Sequence, residues 1–164
     1  MRTLWAPWRM DYIEKADDLP GCIFCVKPAE ARDRENGILY RGETAFVMMN
    51  AFPYNTGHAM VAPYRHTADL NELSDEEMLE VNRLVRYAIN AVGTAMGPDG
   101  FNLGVNLGRT AGAGFADHVH WHIVPRWNGD TNFMPIVGNT KVLPESIEAT
   151  YDKLLRRMAE LGDP

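Results

Sequence analysis

The chain is expected to fold as an α+β domain with a mostly antiparallel sheet of about five strands, one long helix and a C-terminal helix. Three observations carry that expectation. Short β-like runs with turn-sized connections fill the first half. One capped, strongly periodic helix interrupts them. Two further strand runs and a last amphipathic helix complete the sequence. The 164 residues suit a single domain, 1–164, large enough to bury a core without disulfide staples.

Residues 1–34 read as an irregular arm, rich in Trp, Pro and charge. Trp5, Trp8, Met10, Tyr12 and Ile13 are too apolar to stay in solvent, so the arm is expected to pack on the body or on a second subunit. The core of the domain follows over 35–127. Ile38–Arg41 and Ala45–Asn50 read as strands separated by Gly42 and Glu43, a hairpin signal. Residues 51–57 (AFPYNTG) hold Pro, Asn and Gly and form a turn region. His58–Pro63 is the next strand, ended by its proline. Ser74 is a helix N-cap with Glu77 at capping-box spacing. Met78, Val81, Val85, Ala88, Val92 and Met96 then recur every three or four residues along one helix face, and Gly97 and Pro98 stop it. Phe101–Leu107 and His118–Val124 are strands flanking the small, glycine-rich segment GRTAGAG. In the C-terminal segment, 128–164, a helix is expected to begin near Pro144. Ile147, Tyr151, Leu154, Leu155, Met158 and Leu161 form its apolar stripe, and Gly162 ends it.

Composition narrows the function. Hydrophobic residues make up 46% and charged residues 23%, which excludes a disordered chain. A net charge of -6 and a pI near 5.3 argue against nucleic-acid binding, which favours a basic patch. No apolar run approaches the roughly 20 residues needed to span a bilayer. The N-terminus has no secretory h-region, so no membrane association and a cytoplasmic location are expected. The two cysteines, Cys22 and Cys25, are spaced C-x-x-C. In a reducing compartment that pair is a metal clip or a redox pair rather than a structural disulfide.

The chemistry concentrates in Asp117–Trp127, DHVHWHIVPRW. Its histidines, His118, His120 and His122, alternate with Val119, Trp121 and Ile123, so on a strand three imidazoles share one face. Two uses fit. Three neutral imidazoles can bind a catalytic metal. Alternatively one can attack phosphorus while its neighbours donate to the phosphoryl oxygens. The preceding glycine-rich loop favours the second use, since its backbone N–H groups can cradle phosphate.

HVHWHIV matches the alternating signature of the histidine triad (HIT) superfamily of nucleotide hydrolases and transferases. The upstream NTGHAMVAP, the loop NLGRTAGAG and the trailing PRW resemble the same family, across roughly residues 22–127. The ends of the chain, LWAPWRMDYI and PRWNGDTNFMPIVGNTKVLPE, resemble bacterial diadenosine tetraphosphate phosphorylases and their relatives more narrowly.

The resemblance implies a HIT-like fold and a set of roles. His120 would be the nucleophile that forms a nucleotidyl-histidine, with His122 on the phosphate oxygens and His58 completing the cluster. Asn50 would meet the ribose hydroxyls, Asn106, Gly112 and Gly114 the phosphates, and Phe46 the nucleoside pocket. Cys22, Cys25, His66 and His118 would hold a structural zinc, with no organic cofactor. Arg9, Arg65, Arg126 and Lys141 are candidates for further phosphate contacts. The partners implied are an adenine nucleotide or dinucleoside polyphosphate and a second copy of the chain, with the long helix and a sheet edge at the contact. One departure stands out: Ala113 and Gly114 occupy positions where most of the family carries polar loop residues, so Arg109 or Thr110 would have to assist the leaving group. Three functional readings result. The first is a phosphoanhydride- or phosphoramidate-cleaving enzyme acting through His120, with water (a hydrolase) or inorganic phosphate (a phosphorylase) as the second acceptor. The second is a nucleotide-binding module with vestigial activity. The third is a metalloenzyme ligating through all three triad histidines.

Overall fold

The computed structural model describes residues 21–132, 134–138 and 142–164. Five strands, β1 (Ile38–Arg41), β2 (Ala45–Met49), β3 (Ala59–Pro63), β4 (Gly100–Val105) and β5 (Trp121–Arg126), form one sheet in the order β1-β2-β3-β5-β4. Every pairing is antiparallel. The helices are α1 (Ile23–Ala29), α2 (Asp33–Asn36), α3 (Asp75–Met96), α4 (Met134–Val137) and α5 (Ile147–Leu161).

β2 and β3 read AFVMM and AMVAP, without alternation, because both of their faces are covered. On one face Val47, Met49, Val61 and Ile123 pack against Val81, Leu84, Ala88 and Val92 of α3 and against Leu154 and Met158 of α5. Each such aliphatic side chain contributes roughly 1.5–3 kcal/mol on burial, so truncating Leu84, fully buried, costs about 2–5 kcal/mol. On the other face Phe46, Met48, Met60 and Ala62 meet Phe24 of α1.

α3 begins where the sequence places it. The Ser74 hydroxyl accepts from Glu77 N–H and the Glu77 carboxylate accepts from Ser74 N–H, a complete capping box. Gly97, at φ 59°, closes the helix in the left-handed conformation. From its exposed flank, Glu80 accepts the backbone N–H groups of Glu43 and Thr44 at the β1–β2 turn. Gly42 lets that carboxylate approach, since a Cβ there would collide with it.

Several boundaries differ from expectation. The segment anticipated as an irregular arm carries α1 and α2, while Trp5, Trp8, Met10, Tyr12 and Ile13 lie outside the described residues. α5 starts after Ser146, whose hydroxyl accepts from Ala149 N–H, and not at Pro144. β4 ends at Val105 and β5 begins at Trp121. Ahead of β5, Val119 N–H donates to Thr67 O instead of to a strand, because β3 has ended at Pro63. The most buried apolar face of α3 packs on the core. Among the described residues no helix is long and apolar enough to cross a membrane.

Candidate active site and metal cluster

His118 and His120 lie in the extended run before β5, and His122 lies within it. Alternation puts all three on the sheet face that carries Phe24, which covers that face over His118 and His120. His118 and His120 are 1% and 4% exposed, and the Phe24 ring stacks on His120 at 4.5 Å between centroids.

His120 Nδ1 lies 2.8 Å from the backbone oxygen of His118. A carbonyl only accepts, so Nδ1 carries the proton and the lone pair sits on Nε2. Burial holds the His120 pKa below its ordinary value, partly offset by that carbonyl, which favours the neutral ring.

His58, fully buried, comes from the turn before β3. Tyr54 N–H donates to His58 Nδ1 at 3.1 Å, which places the His58 proton on Nε2. That atom is 3.0 Å from His122 Nδ1. His122 therefore accepts at Nδ1 and bears its own proton on Nε2. Asn50 Nδ2 is 3.5 Å from His58 Nε2, a long donor-to-donor approach that leaves the His58 proton to His122. A backbone amide thus sets the tautomers of two imidazoles, and the outcome is a lone pair on His120 beside an N–H on His122, whose rings are 4.9 Å apart.

His118 turns the other way. Its Nε2–H donates to Pro63 O at 2.9 Å, and its Nδ1 joins Cys22, Cys25 and His66. The ligand atoms of these four residues all lie within 4.8 Å of one another. His118 Nδ1 is 3.3 Å from Cys22 Sγ, 3.6 Å from Cys25 Sγ and 3.3 Å from His66 Nδ1, and Cys25 Sγ is 3.4 Å from His66 Nδ1. A tetrahedral ion bound to two sulfurs and two nitrogens at ordinary bond lengths separates S from N by about 3.5 Å and N from N by about 3.3 Å. The donors fit a metal ion in both chemistry and spacing. Burial and the adjacent Cys22 push the Cys25 thiol up to about 11, and burial pushes His118 down to about 4. A dication would reverse the first effect and use the neutral ring that the second provides. Among the described residues His118 therefore belongs to the cysteine cluster. His120 and His122 do not converge with it, which overturns the three-histidine metal reading.

The remaining candidates fall on several elements. Asn50 follows β2, and its Oδ1 accepts from Phe52 N–H at 2.8 Å, an Asx turn. Asn106 follows β4 and donates to Gly112 O at 3.3 Å, closing the glycine-rich loop. Gly112, at φ 90°, ends a 3₁₀ turn formed by Arg109–Ala111. Ala113 is buried, Gly114 half-buried, and Arg109 and Thr110 are exposed. Phe46 is fully buried and stacked on Tyr64 at 5.2 Å, inside the cluster that carries Phe24. Arg65 pairs with Glu77 and Arg126 with Asp130; Arg9 and Lys141 lie outside the described residues. Sequence reasoning missed Phe24, although its position between the two cysteines, beside a histidine-rich strand, was a usable signal. It also missed Tyr54 N–H and Pro63 O, which are backbone groups that no side-chain pattern reveals.

The HIT domain model matches residues 31–129. The chain belongs to the HIT family. This HIT protein is 38% identical over 157 residues to a Mycobacterium tuberculosis protein named AP-4-A phosphorylase, spanning 92% of this chain and 80% of that one. It is 33% identical over 134 residues to an adenosine 5'-monophosphoramidase of Schizosaccharomyces pombe, covering 82% of this chain and 89% of the relative. Its fold matches the crystal structure of a Zn-bound histidine triad family protein from Mycobacterium smegmatis with a TM-score of 0.68 at 25% identity, over 86% of this chain and 95% of that one.

Proposed function

We propose that this HIT protein cleaves dinucleoside polyphosphates through a nucleotidyl-His120 intermediate and passes the nucleotide to inorganic phosphate. The observation that carries the reading is the pair of contacts His120 Nδ1 to His118 O and His122 Nδ1 to His58 Nε2, which leaves a lone pair on His120 Nε2 and an N–H on His122 Nε2. Nε2 of His120 attacks the α-phosphorus, forming an N–P bond. The P–O bond to the rest of the polyphosphate breaks, and the leaving oxygen takes its electron pair. His122 Nε2–H donates to the oxygen where charge develops. A phosphate oxygen then attacks the same phosphorus, and the N–P pair returns to Nε2. Diadenosine tetraphosphate plus phosphate would yield ATP and ADP. The name of the M. tuberculosis relative supports this choice of substrate and acceptor.

Asn50 is assigned to the ribose, Asn106, Gly112 and Gly114 to the phosphates, and Phe46 to the wall that backs the nucleoside pocket. A zinc ion on Cys22, Cys25, His66 and His118 would be closed to substrate and would tie α1 to the triad strand. Assembly is assigned as a homodimer. The free edge of β4, with Leu103 54% exposed and Leu107, two residues past the strand, 50% exposed, supports that contact. Acid-stopped incubation with labelled dinucleotide tests the mechanism: a nucleotidyl adduct that maps to His120 is expected. Turnover without any histidine adduct would overturn it.

A further inference from the structure

The site described so far accounts for one nucleotide and leaves the other half of the substrate without a place. Along the open face of β4 and its extension, Asn102, Gly104 and Asn106 alternate. Gly104 pairs across the sheet with His122, and Asn102 pairs with Val124. A cavity of about 490 Å³ runs over these residues from His122 to Arg126, beside Tyr54. That size is typical of a ligand site. Gly104 is the unexpected member. A glycine inside a strand weakens it, its φ is not one that demands glycine, and a Cβ there would meet no protein atom within 4 Å. Neither turn geometry nor packing accounts for the missing side chain, whereas close approach of a ligand does.

Resting on the function proposed above, we infer that this groove binds the leaving part of the substrate: the phosphates beyond the scissile bond and the second nucleoside. His122 stands at its entrance. The guanidinium of Arg126 stands at the far end, four residues of strand or roughly 13 Å away. Arg126 spends three N–H groups on Asp130 and Asn102, which leaves two of its five for phosphate oxygens. Its bond to Asn102 Oδ1 leaves the Asn102 amide N–H groups as further donors. The Asp130 carboxylate is neutralised by Arg126 and accepts from Asn55 and Trp127 N–H, so it does not repel the chain of phosphates.

The test is binding, measured by calorimetry in His120→Ala protein so that nothing is consumed. Diadenosine tetraphosphate is expected to bind about tenfold or more tightly than AMP. Gly104→Val and Asn102→Leu, both β-compatible changes on an edge strand, should each cut that advantage to about twofold while leaving AMP affinity in place. Thermal melts verify the fold. An undiminished advantage in both variants overturns the subsite, and so does an equal loss of both ligands. A parent protein that binds AMP but gains nothing from the longer ligand also overturns it, leaving the triad reading intact. A parent that binds neither removes the reading on which the subsite rests.

Discussion

The backbone oxygen of His118 accepts the Nδ1–H of His120 at 2.8 Å, while the ring of the same His118 offers Nδ1 to Cys22 at 3.3 Å. One residue therefore belongs to the cysteine–histidine cluster through its side chain and to His120 through its backbone. Displacing the ring of residue 118 would move the carbonyl that aims the His120 lone pair.

Cys22→Ser and Cys25→Ser should accordingly do three things. Elemental analysis is expected to give one metal ion per wild-type chain and none in either variant. Thermal stability should drop because the tie between α1 and the triad strand is lost. Activity should persist but fall, by up to about 100-fold if the nucleophile shifts by a fraction of an ångström. Metal-free wild-type protein of full stability would refute the cluster's role.

His120→Ala should lower turnover by at least about a thousandfold, because no neighbouring group can replace the covalent step. It should also cost some stability. The ring is not solvent-facing: it stacks on Phe24, so truncation leaves a gap in a packed layer, on the order of 1–3 kcal/mol. Near-wild-type hydrolysis in protein free of contaminating enzyme would end the mechanism.

That stability cost marks the limit of what the sequence could say. The alternation in HVHWHIV correctly placed three imidazoles on one face, and the capping box and periodicity from Ser74 to Met96 located α3 nearly to the residue, because local hydrogen bonds and a 3.6-residue period determine them. What covers a face depends on distant chain. Phe24 reaches the triad from α1, nearly a hundred residues upstream, in a segment whose Pro and charge content reads as irregular. The boundaries of β5 were misplaced for a similar reason. Strand assignment needs a partner, and the chain that accepts from Val119 N–H is Thr67, already past the end of β3. Asn50 shows its local reading alone: it forms the turn after β2 and stands beside His58.

The His58–His122 relay makes a sharper test of tautomer control. His58→Phe fills the space but removes the Nε2–H that holds His122 Nδ1 as an acceptor. Turnover should fall by about 100-fold. His58→Gln keeps an N–H donor at that end and should recover a good part of the loss. Equal activity in the two variants, with near-UV circular dichroism confirming the fold, would show that the hydrogen bond does not matter.

Asp130 ties the end of β5 to the turn that carries His58. It accepts from Arg126, from Asn55 at 2.9 Å and from Trp127 N–H. The Arg126 guanidinium holds its carboxyl well below the usual carboxylate range. A group depressed in the folded state stabilises above its unfolded pKa, about 3.9 for Asp, and that stability is lost as pH falls through the folded value. Asp130→Asn should therefore cost on the order of 1–2 kcal/mol at pH 7, kept modest because Arg126 is half exposed. The gap to wild type should narrow steadily below about pH 4. Melts across that range would show it, and a gap independent of pH would mean the charge contributes nothing.

The acceptor decides what kind of enzyme this is. A nucleotidyl-histidine faces water at about 55 M and phosphate at a few millimolar, so a phosphorylase must favour phosphate by about 10⁴-fold, or roughly 5.5 kcal/mol of transition-state discrimination. Exclusion of water and donors aimed at an incoming anion would supply it. Phe24 over His120 is the candidate for the first and Arg109 for the second. His120 is buried beneath Phe24, and the loop after β4 places exposed Arg109 at the start of a tight turn closed by Asn106. With diadenosine tetraphosphate, phosphate-dependent formation of ADP and ATP is expected, with little AMP. Arg109→Ala should raise the ratio of AMP to ADP while changing the consumption of dinucleotide much less, because it acts after the intermediate has formed. Chromatography of the products at several phosphate concentrations measures both. AMP release indifferent to phosphate would make the protein a hydrolase, leaving His120 as nucleophile but assigning water as the acceptor.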